Sequence, residues 1–541
     1  MFFKRTFDVY PYAHGSAELC WRLILLAIVI SFGIAAAYLA YESGRLVTQP
    51  SHLFVWGVWT GVQALAFSAA VAHALDGFLS IETPTNCLTQ ERVKVSVHVP
   101  IHREPPQIVS ATLRSLAKLE LIPFEVIVID NNTPEESLWR PIQELSHQLG
   151  FRFFHLERWP GYKAGALNFA RTVTSSDANF IAIVDADYIV QPDFLSRLIP
   201  HFCNPTVAFV QAPQDYRCGE ASVYQNWTFS AYRHFFAVNM ASHSRMDSVI
   251  FVGTMGIIRK SVLDECGDWD ERCLTEDAEI GLRIAANGYS GVFVSTSCGK
   301  GLMPLDYVSF RRQRYRWALG GAQIFKKYWS HVFWMPRDPK CSGFRIIQRL
   351  GFGLFLLYWF EPWLTVATMF LFWLVAIAFC VWPEFIEAAI PANSAVLAIS
   401  ILSARVALFV GSLMRRSRCS FSEACGASIV LGSVNWLVSC ACAKALWSRS
   451  AVFERTPKDE RGREALVKKL RLMTTEFALS VFGLGTAIAM LFAVTTPITM
   501  LYCVGCFLGS VMFALPLLVL IIDHIQLRIK AADPGCCEVS D

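Results

Sequence analysis

Long apolar runs at both ends of the chain, separated by a mixed and polar middle, most strongly limit what this sequence can fold into. Two runs near the start, at 23–41 and 53–79, approach the ~20 apolar residues that a helix needs to cross a bilayer. Only 17% of the 541 residues are charged, whereas 54% are hydrophobic. We therefore predict a membrane protein in which a soluble domain is inserted between two membrane regions.

The second half of the chain predicts four more membrane helices, at 359–382, 395–413, 477–494 and 496–522, which brings the predicted crossings to six. The run at 429–446 has basic residues on both sides, so we expect it to lie along or re-enter the membrane surface. Two crossings return the chain to its starting side, and basic residues favour the cytoplasm. We therefore expect both termini and the middle domain to be cytoplasmic, in a plasma membrane or bacterial inner membrane.

The predicted organisation is an N-terminal helix pair (1–85), a cytoplasmic domain (86–335), a membrane and interfacial region (336–530) and a tail (531–541). In the middle domain, β-rich runs at 93–99, 125–129 and 180–184 alternate with helical patterns at 106–119 and 164–174. This alternation predicts an α/β fold with a parallel sheet, and ligands beyond the carboxyl ends of its strands. The net charge of +4 lacks a basic block, so we predict no nucleic-acid partner.

Asp185-Ala186-Asp187 follows a buried strand directly, so two carboxylates emerge where buried charges require a partner. Mg²⁺ or Mn²⁺ is a natural partner, because either ion accepts carboxylate and diphosphate oxygens together. The alternative is a pair of solvated loop acids. The strand context favours the metal site.

Three other segments carry polar residues in suggestive positions. Asp130 ends a strand, where an ordinary Asx turn is the alternative. Thr275-Glu276-Asp277 could simply cap a helix, but a carboxylate there could also take the proton of a hydroxyl nucleophile. Gln313 and Arg316 are three residues apart on a predicted helix and so share a face, although an interfacial helix alone would explain their location.

In chain order, these segments resemble the "D, DxD, TED, QxxRW" signature of the processive, membrane-integrated family 2 glycosyltransferases. That family includes the cellulose, hyaluronan and chitin synthases. The resemblance implies an inserted GT-A domain over most of residues 90–330, and a nucleotide-sugar donor, with UDP-glucose the first choice. It further implies inverting transfer to a nascent β-linked polysaccharide, which is threaded outward through the lipid bilayer.

The resemblance also assigns roles to individual residues. Asp277 would be the general base with Glu276 beside it, Asp185 and Asp187 would hold the metal, and Phe453, Arg455, Thr456 and Lys458 would form a gating loop. In that loop, Arg455 replaces the valine of the family's "FxVTxK". The remaining expected contacts are Glu104, Asp130, Lys163, Asp185, Gln313 and Arg316 for the donor, and Trp317, Thr254 and Trp269 for the acceptor.

Two other functions stay open at this point. A non-processive transferase would move a single sugar to a polyprenyl phosphate or lipid acceptor, and such enzymes generally lack the Gln-x-x-Arg-Trp element. A transporter with a nucleotide-binding insert would have polytopic helices but no need of Asp277. The identity of the product formed from a nucleotide sugar separates the three.

Overall fold

The computed structural model describes residues 50–79, 93–217, 222–334, 344–390, 392–447, 466–493 and 497–532, with scattered positions between 26 and 49. The strands in these residues are β1 (Val95–Ile101), β2 (Phe124–Asn131), β3 (Arg152–Leu156), β4 (Phe180–Ile183), β5 (Ile189–Val190), β6 (Val207–Gln211), β7 (Asp215–Arg217), β8 (Gly256–Arg259), β9 (Ser290–Phe293) and β10 (Gly299–Leu302).

Helices precede, cover and follow these strands. The first group comprises α1 (Pro50–Leu79), α2 (Pro106–Leu116), α3 (Glu136–Gln148), α4 (Tyr162–Val173), α5 (Phe194–Leu198), a 3-10 turn (Ile199–Cys203), α6 (Val223–His234), a π-helix (Phe235–Met240), α7 (Ala241–Arg245), α8 (Lys260–Cys266), α9 (Glu276–Ala286) and α10 (Tyr307–Phe333). The second group comprises α11 (Ile346–Tyr358), α12 (Glu361–Val381), α13 (Pro383–Ala389), α14 (Ala392–Ser417), α15 (Phe421–Gly432), α16 (Asn435–Trp447), α17 (Leu466–Arg471), α18 (Thr474–Ala493) and α19 (Pro497–Ala532).

The main sheet is mixed. Its seven strands run in the order β3-β2-β1-β4-β8-β6-β9, and a smaller sheet runs β5-β10-β7. Strands β1, β2 and β4 pair in parallel, as the sequence predicts, and β3, which the sequence analysis did not identify, pairs in parallel with β2. Strand β8 pairs antiparallel with both β4 and β6, so the prediction of a parallel sheet is wrong in this half. Helices α6 and α7 lie between β7 and β8 in the chain. Mixed sheets with an antiparallel strand are common among large α/β sheets.

Strand β4 explains why polar motifs appear only at the strand ends. Ile181 and Ile183 belong to one apolar core, whereas Phe180 and Ala182 belong to the core on the opposite face. Side chains alternate across a strand, so both faces of the sheet are apolar and covered. In β4, charged side chains therefore appear only after the strand ends, at the carboxyl edge of the sheet, where α/β proteins bind ligands.

Five helices in the described part of the chain are long and apolar enough to cross a membrane, which indicates a membrane protein. They match five of the six predicted crossings, and the predicted run at 23–41 lies largely outside the described residues. The predicted interfacial run at 429–446 falls in α15 and α16, which meet at a bend of 41°. Such a bent pair is either a broken membrane span or a re-entrant loop. That the run at 429–446 does not cross the membrane therefore stays a prediction.

Helix α10 lies between the sheet and the membrane helices. One continuous apolar core contains Ile280 of α9 and Ile324 of α10 together with Val430 and Val438 of the bent pair. A single cavity can therefore be lined both by residues that follow the strand ends and by residues of α10.

Candidate active site

The carboxyl ends of β1, β2 and β4 open into a cavity of about 490 Å³. Ten of the side chains predicted from the sequence line it. They are Glu104, Lys163, Asp185, Asp187, Thr254, Glu276, Asp277, Gln313, Arg316 and Trp317.

Lys163 is a fixed positive charge in the wall of this cavity. It lies in the first turn of α4 and donates a hydrogen bond from Nζ to Asp185 Oδ1 at 2.6 Å. Burial acts to lower the pKa of Lys163, but Asp185, Glu276 and Asp277 together raise it above its ordinary value. The residue before the helix is Gly161, whose φ of 81° lies in the left-handed region that favours glycine.

Hydrogen bonds that involve backbone amides position the two acidic residues that follow β4. The Asp185 amide donates to Thr254 Oγ1 at 3.0 Å, and Asp187 Oδ2 accepts from the Leu302 amide at 3.1 Å. Carboxylate oxygens are ligands that Mg²⁺ and Mn²⁺ accept, and Mg²⁺ often binds one or two carboxylates together with substrate phosphates. No group of three or more His, Cys, Asp or Glu side chains forms a complete metal site among the described residues. Asp185 and Asp187 have the oxygen-donor chemistry that such an ion accepts.

Thr275-Glu276-Asp277 begins α9, as the sequence predicts, with Thr275 at the N-cap position. Burial and the neighbouring Asp277 charge raise the pKa of Glu276 to about 7. Burial also raises the pKa of Asp277, although Lys163 opposes this shift. The first turn of α9 thus carries two adjacent carboxyl groups, and burial raises the pKa of each.

Gly253 packs directly against Asp277 and Lys163. Its φ is 82°, and a Cβ built on it would lie 3.0 Å from Asp277 Oδ2 and 3.3 Å from Lys163 Nζ. The segment between α7 and β8 therefore brings the first turn of α4 and the first turn of α9 together.

Helix α10 closes the opposite wall of the cavity. It begins at Tyr307, six residues before Gln313, so Gln313 and Arg316 lie within the helix and not at its head. Gln313, Arg316 and Trp317 share one face at i, i+3 and i+4 and all line the cavity. Tyr232 of α6 supports this face, since its hydroxyl donates to Gln313 Oε1 and its ring meets Trp317 edge-on at 6.0 Å.

Two predicted residues are not brought to the cavity. Asp130 is 1% exposed, and its carboxylate oxygens contact Thr133 Oγ1 and His155 Nδ1, each at 2.6 Å. Trp269 is 2% exposed and lies in the core against the Phe251 ring, at 5.9 Å. The predicted gating loop, Phe453, Arg455, Thr456 and Lys458, lies outside the described residues.

The cavity also contains polar residues that the sequence reasoning gave no role. Asn131 and Asn132 line it where Asp130 does not, and Gln214 lines it while donating to the Val252 carbonyl at 2.7 Å. Gln214 lies just beyond the end of β6. Asp185 was predicted as a site residue because it is a polar residue that follows an apolar strand. The same criterion would have identified Gln214.

A second cavity, of about 640 Å³, lies among the membrane helices. Its wall is largely apolar but includes Glu361, Arg405 and Asn435. Arg314 links the two cavities, because its guanidinium lies over the Trp317 ring at 5.8 Å and over the Trp359 ring at 5.1 Å. Trp317 lines the first cavity, and Trp359 lines the second.

Comparison with known proteins gives one family match. Residues 180–391 match the family model described as "Glycosyl transferase family group 2". That stretch contains the carboxylates after β4, the start of α9 and the cavity face of α10. The match and the α/β architecture confirm the predicted GT-A-like fold class.

Two curated relatives are both described as mannosyltransferases. "Probable glucomannan 4-beta-mannosyltransferase 11" of Arabidopsis thaliana is 33% identical over 175 residues, which is 31% of this chain and 38% of that protein. "Probable glucomannan 4-beta-mannosyltransferase 2" of Oryza sativa subsp. japonica is 25% identical over 333 residues, 58% of this chain and 56% of that protein. The chain thus spans less than two thirds of these relatives' length.

Among solved structures, this chain is similar to the mannosyltransferase PcManGT from Pyrobaculum calidifontis, solved in complex with GDP-Man and Mn²⁺. The identity is 18% and the TM-score 0.46, and the alignment covers 71% of this chain and 99% of that one.

Proposed function

Because the chain carries a family 2 glycosyltransferase domain, we propose that it transfers hexosyl units from a nucleotide donor to a growing β-linked polysaccharide. The observation that carries this proposal is the single cavity in which Lys163, Asp185 and Asp277 face Arg316 and Trp317. This cavity would then contain cations that bind a diphosphate and carboxylates that bind a metal. It would also contain a base and an aromatic side chain on which a sugar can stack.

The donor diphosphate would lie between Lys163 and the α10 face. Lys163 Nζ and the Arg316 guanidinium supply positive charge, and the Gln313 amide supplies a hydrogen-bond donor. Lys163 is also in the first turn of α4, where the positive end of the helix dipole favours an anion. Glu104, Asn131 and Asn132 line the same cavity and are the candidate contacts for the nucleoside.

Asp185 and Asp187 would hold Mg²⁺ or Mn²⁺. Such an ion neutralises charge on the departing nucleoside diphosphate. We expect EDTA to abolish transfer, and added Mg²⁺ or Mn²⁺ to restore it in wild-type protein but not in Asp187→Ala. Full activity in EDTA would contradict the metal assignment.

Transfer itself needs a base for the acceptor hydroxyl, and we assign that role to Asp277. Its half-buried carboxylate lies beside Lys163 and Gly253, opposite the α10 face where Trp317 would stack on the terminal sugar. A single displacement at the anomeric carbon of an α-linked donor inverts the configuration, so the product is β-linked.

The donor sugar is proposed to be a hexose, with mannose and glucose as the candidates. The motif pattern favours UDP-glucose, whereas the curated relatives are described as mannosyltransferases. Because the relatives match over part of their length only, both donors belong in the test.

We also propose that synthesis is processive and that the product leaves through the second cavity. Arg314 lies over both Trp317 and Trp359, so a chain end at Trp317 would be adjacent to the membrane cavity. A transporter would have no need for a base aimed at an acceptor, and transfer of a single sugar would have no need for the continuation beyond Trp317.

The deciding experiment gives purified, detergent-solubilised protein a panel of labelled nucleotide sugars that includes UDP-glucose and GDP-mannose. Products are sized and then digested with linkage-specific β-glycan hydrolases, with Asp277→Asn as the inactive control. Long β-linked polymer from one donor is the expected result. A lipid carrying one sugar, or no transfer from any donor, would contradict the proposal.

A further inference from the structure

Helices α9 and α10 contact each other in a regular series, beginning at Gly320. A Cβ built at Gly320 would overlap the Thr275 hydroxyl and lie 3.0 Å from Thr275 Cβ. One turn later, Gln323 Oε1 accepts a hydrogen bond from the Leu274 amide at 3.1 Å. The loop and N-cap that present Asp277 thus rest directly on α10.

Glu279 extends this series to the next turns of both helices. Its side chain is fully buried, and its Oε1 accepts hydrogen bonds from Lys327 Nζ and the Tyr328 hydroxyl, both at 2.7 Å. Its Oε2 accepts from Arg283 Nη2 at 2.6 Å. A buried carboxylate with three donors is costly to displace, so it holds α9 and α10 in one alignment.

The contacts with α9 and the cavity wall use consecutive parts of the same helix. Gly320, Gln323 and Lys327 are three and four residues apart and therefore share a face. Gly320 follows Trp317 by one turn, about 4.5 Å along the axis at the helical rise per residue. Any change in the spacing between Gly320 and Thr275 therefore changes the distance between the Trp317 ring and the Asp277 carboxylate.

We propose that Gly320, Gln323 and Glu279 are positioning residues that set the distance between the acceptor platform and the base. The inference rests on the proposed glycosyl transfer and adds to it the residues that align its two halves. The acceptor is held by Trp317 on one helix and deprotonated by Asp277 on the other, so transfer depends on their alignment. A misplacement of about 1 Å in such a geometry can cost about 10²-fold in rate.

The proposal predicts a specific change in the fate of the donor sugar. Water can attack the donor without being held by Trp317, whereas a glycan acceptor cannot be aligned without it. Misalignment of the two helices should therefore lower transfer to glycan more than hydrolysis of the donor. A general loss of fold would lower both reactions and donor binding together.

The first variant is Gly320→Ala, compared with Gly485→Ala, a helical glycine where an added Cβ meets nothing within 4 Å. For Gly320→Ala we expect the ratio of transfer to donor hydrolysis to fall by about 10- to 100-fold. Donor Kd should rise by a smaller factor, because Gln313 and Arg316 lie on the displaced helix while Lys163 does not. Gly485→Ala should leave the ratio unchanged. An unchanged ratio in folded Gly320→Ala would overturn the proposal.

A matched pair at Gln323 decides the question even if Gly320→Ala fails to fold. Gln323→Glu keeps an oxygen that can accept from the Leu274 amide, and should keep the wild-type ratio. Gln323→Leu removes that acceptor, and should lower the ratio by about 10-fold. Equal ratios in the two variants would overturn the positioning role while leaving the proposed function intact. Donor hydrolysis without transfer to any glycan in wild-type protein would overturn both.

Discussion

Gly253 lets the proposed base and the cavity lysine come together. Its left-handed backbone is a conformation that other residues rarely adopt, and any larger side chain would push against Asp277 and Lys163. The chemistry of the cavity therefore depends on a residue that contributes no functional group.

Asp277→Asn tests the base directly. The amide keeps the shape of the carboxylate but cannot take a proton, so we expect kcat for transfer to fall by about 10² to 10⁴ while donor binding is retained. The measurements are diphosphate release and donor Kd, with Glu157→Gln, an exposed acid with 82% side-chain exposure, as control. Near-normal turnover in Asp277→Asn would refute the assignment.

Glu276 makes the pH dependence a second test. Burial and the Asp277 charge raise the pKa of Glu276 to about 7, so Glu276 takes up a proton as the pH falls through about 7. Burial also raises the pKa of Asp277, and a protonated base is inactive, so kcat/KM should decrease toward acid pH. Glu276→Gln removes the group that titrates near pH 7, so the inflection of kcat/KM near pH 7 should disappear while the acid limb set by Asp277 remains. An inflection near pH 7 that persists in Glu276→Gln would contradict its assignment to Glu276.

Asp130 shows what a strand end in sequence cannot reveal. The sequence places Asp130 correctly at the end of β2, but its side-chain direction depends on the pairing with β3. In that register Asp130 lies opposite His155, so the two side chains meet on one face of the sheet, and Asn131 reaches the cavity instead. The local sequence pattern predicts that Asp130 lies at a strand end. Its hydrogen-bond partner His155 depends on the pairing of two separate strands, which the local pattern does not show.

At the scale of elements, α10 is tied to the C-terminal helices by buried charged groups. Arg311 Nη2 lies 2.5 Å from Glu476 Oε1, with side-chain exposures of 7% and 4%. Asp306 accepts from Lys469 Nζ at 2.5 Å, and the Tyr307 amide donates to the Asp523 carboxylate at 3.0 Å. These contacts connect the start of α10 to α17, α18 and α19.

Breaking the Arg311–Glu476 pair should be costly. Glu476→Gln leaves Arg311 charged and buried, so we expect a loss of about 3 to 5 kcal/mol in unfolding free energy, measured by denaturation in detergent. Replacing both residues by apolar ones should recover most of that loss. The exposed pair Glu136–Arg140 is the control, and Glu136→Gln should cost less than about 1 kcal/mol. Equal losses at both sites would contradict the structural role of the buried pair.

The elements were predictable to different degrees for a physical reason. The parallel strands β1, β2 and β4 and the five apolar helices follow from local periodicity and length. The antiparallel β8 does not, because its four residues carry no pattern that shows strand direction, which depends on the path of the chain between β6 and β8. The contact of α10 with α9 depends likewise on tertiary packing, which a single sequence does not encode as a pattern.

At the scale of the whole molecule, a pair of oppositely charged side chains lies beside the passage proposed for the polymer. Arg405 of α14 contacts Glu361 of α12 and donates to Thr365 Oγ1 at 3.0 Å, beside the second cavity. Such charges are expensive in lipid and usually pair with one another or face a water-filled space. With Asn435, this pair adds polar groups to an otherwise largely apolar wall, and we propose that these groups contact the hydroxyls of the polymer.

Reconstitution into sealed vesicles tests whether polymer follows this passage. Donor added outside reaches only molecules whose α/β domain faces outward, and the Trp317 to Trp359 continuity predicts that their product enters the lumen. We therefore expect the polymer to resist an added glycan hydrolase until detergent opens the vesicles. Product made by detergent-solubilised protein should be digested at once, and Asp277→Asn should yield none. Polymer that is digested completely outside intact vesicles would show synthesis without translocation, and the second cavity would then need another occupant.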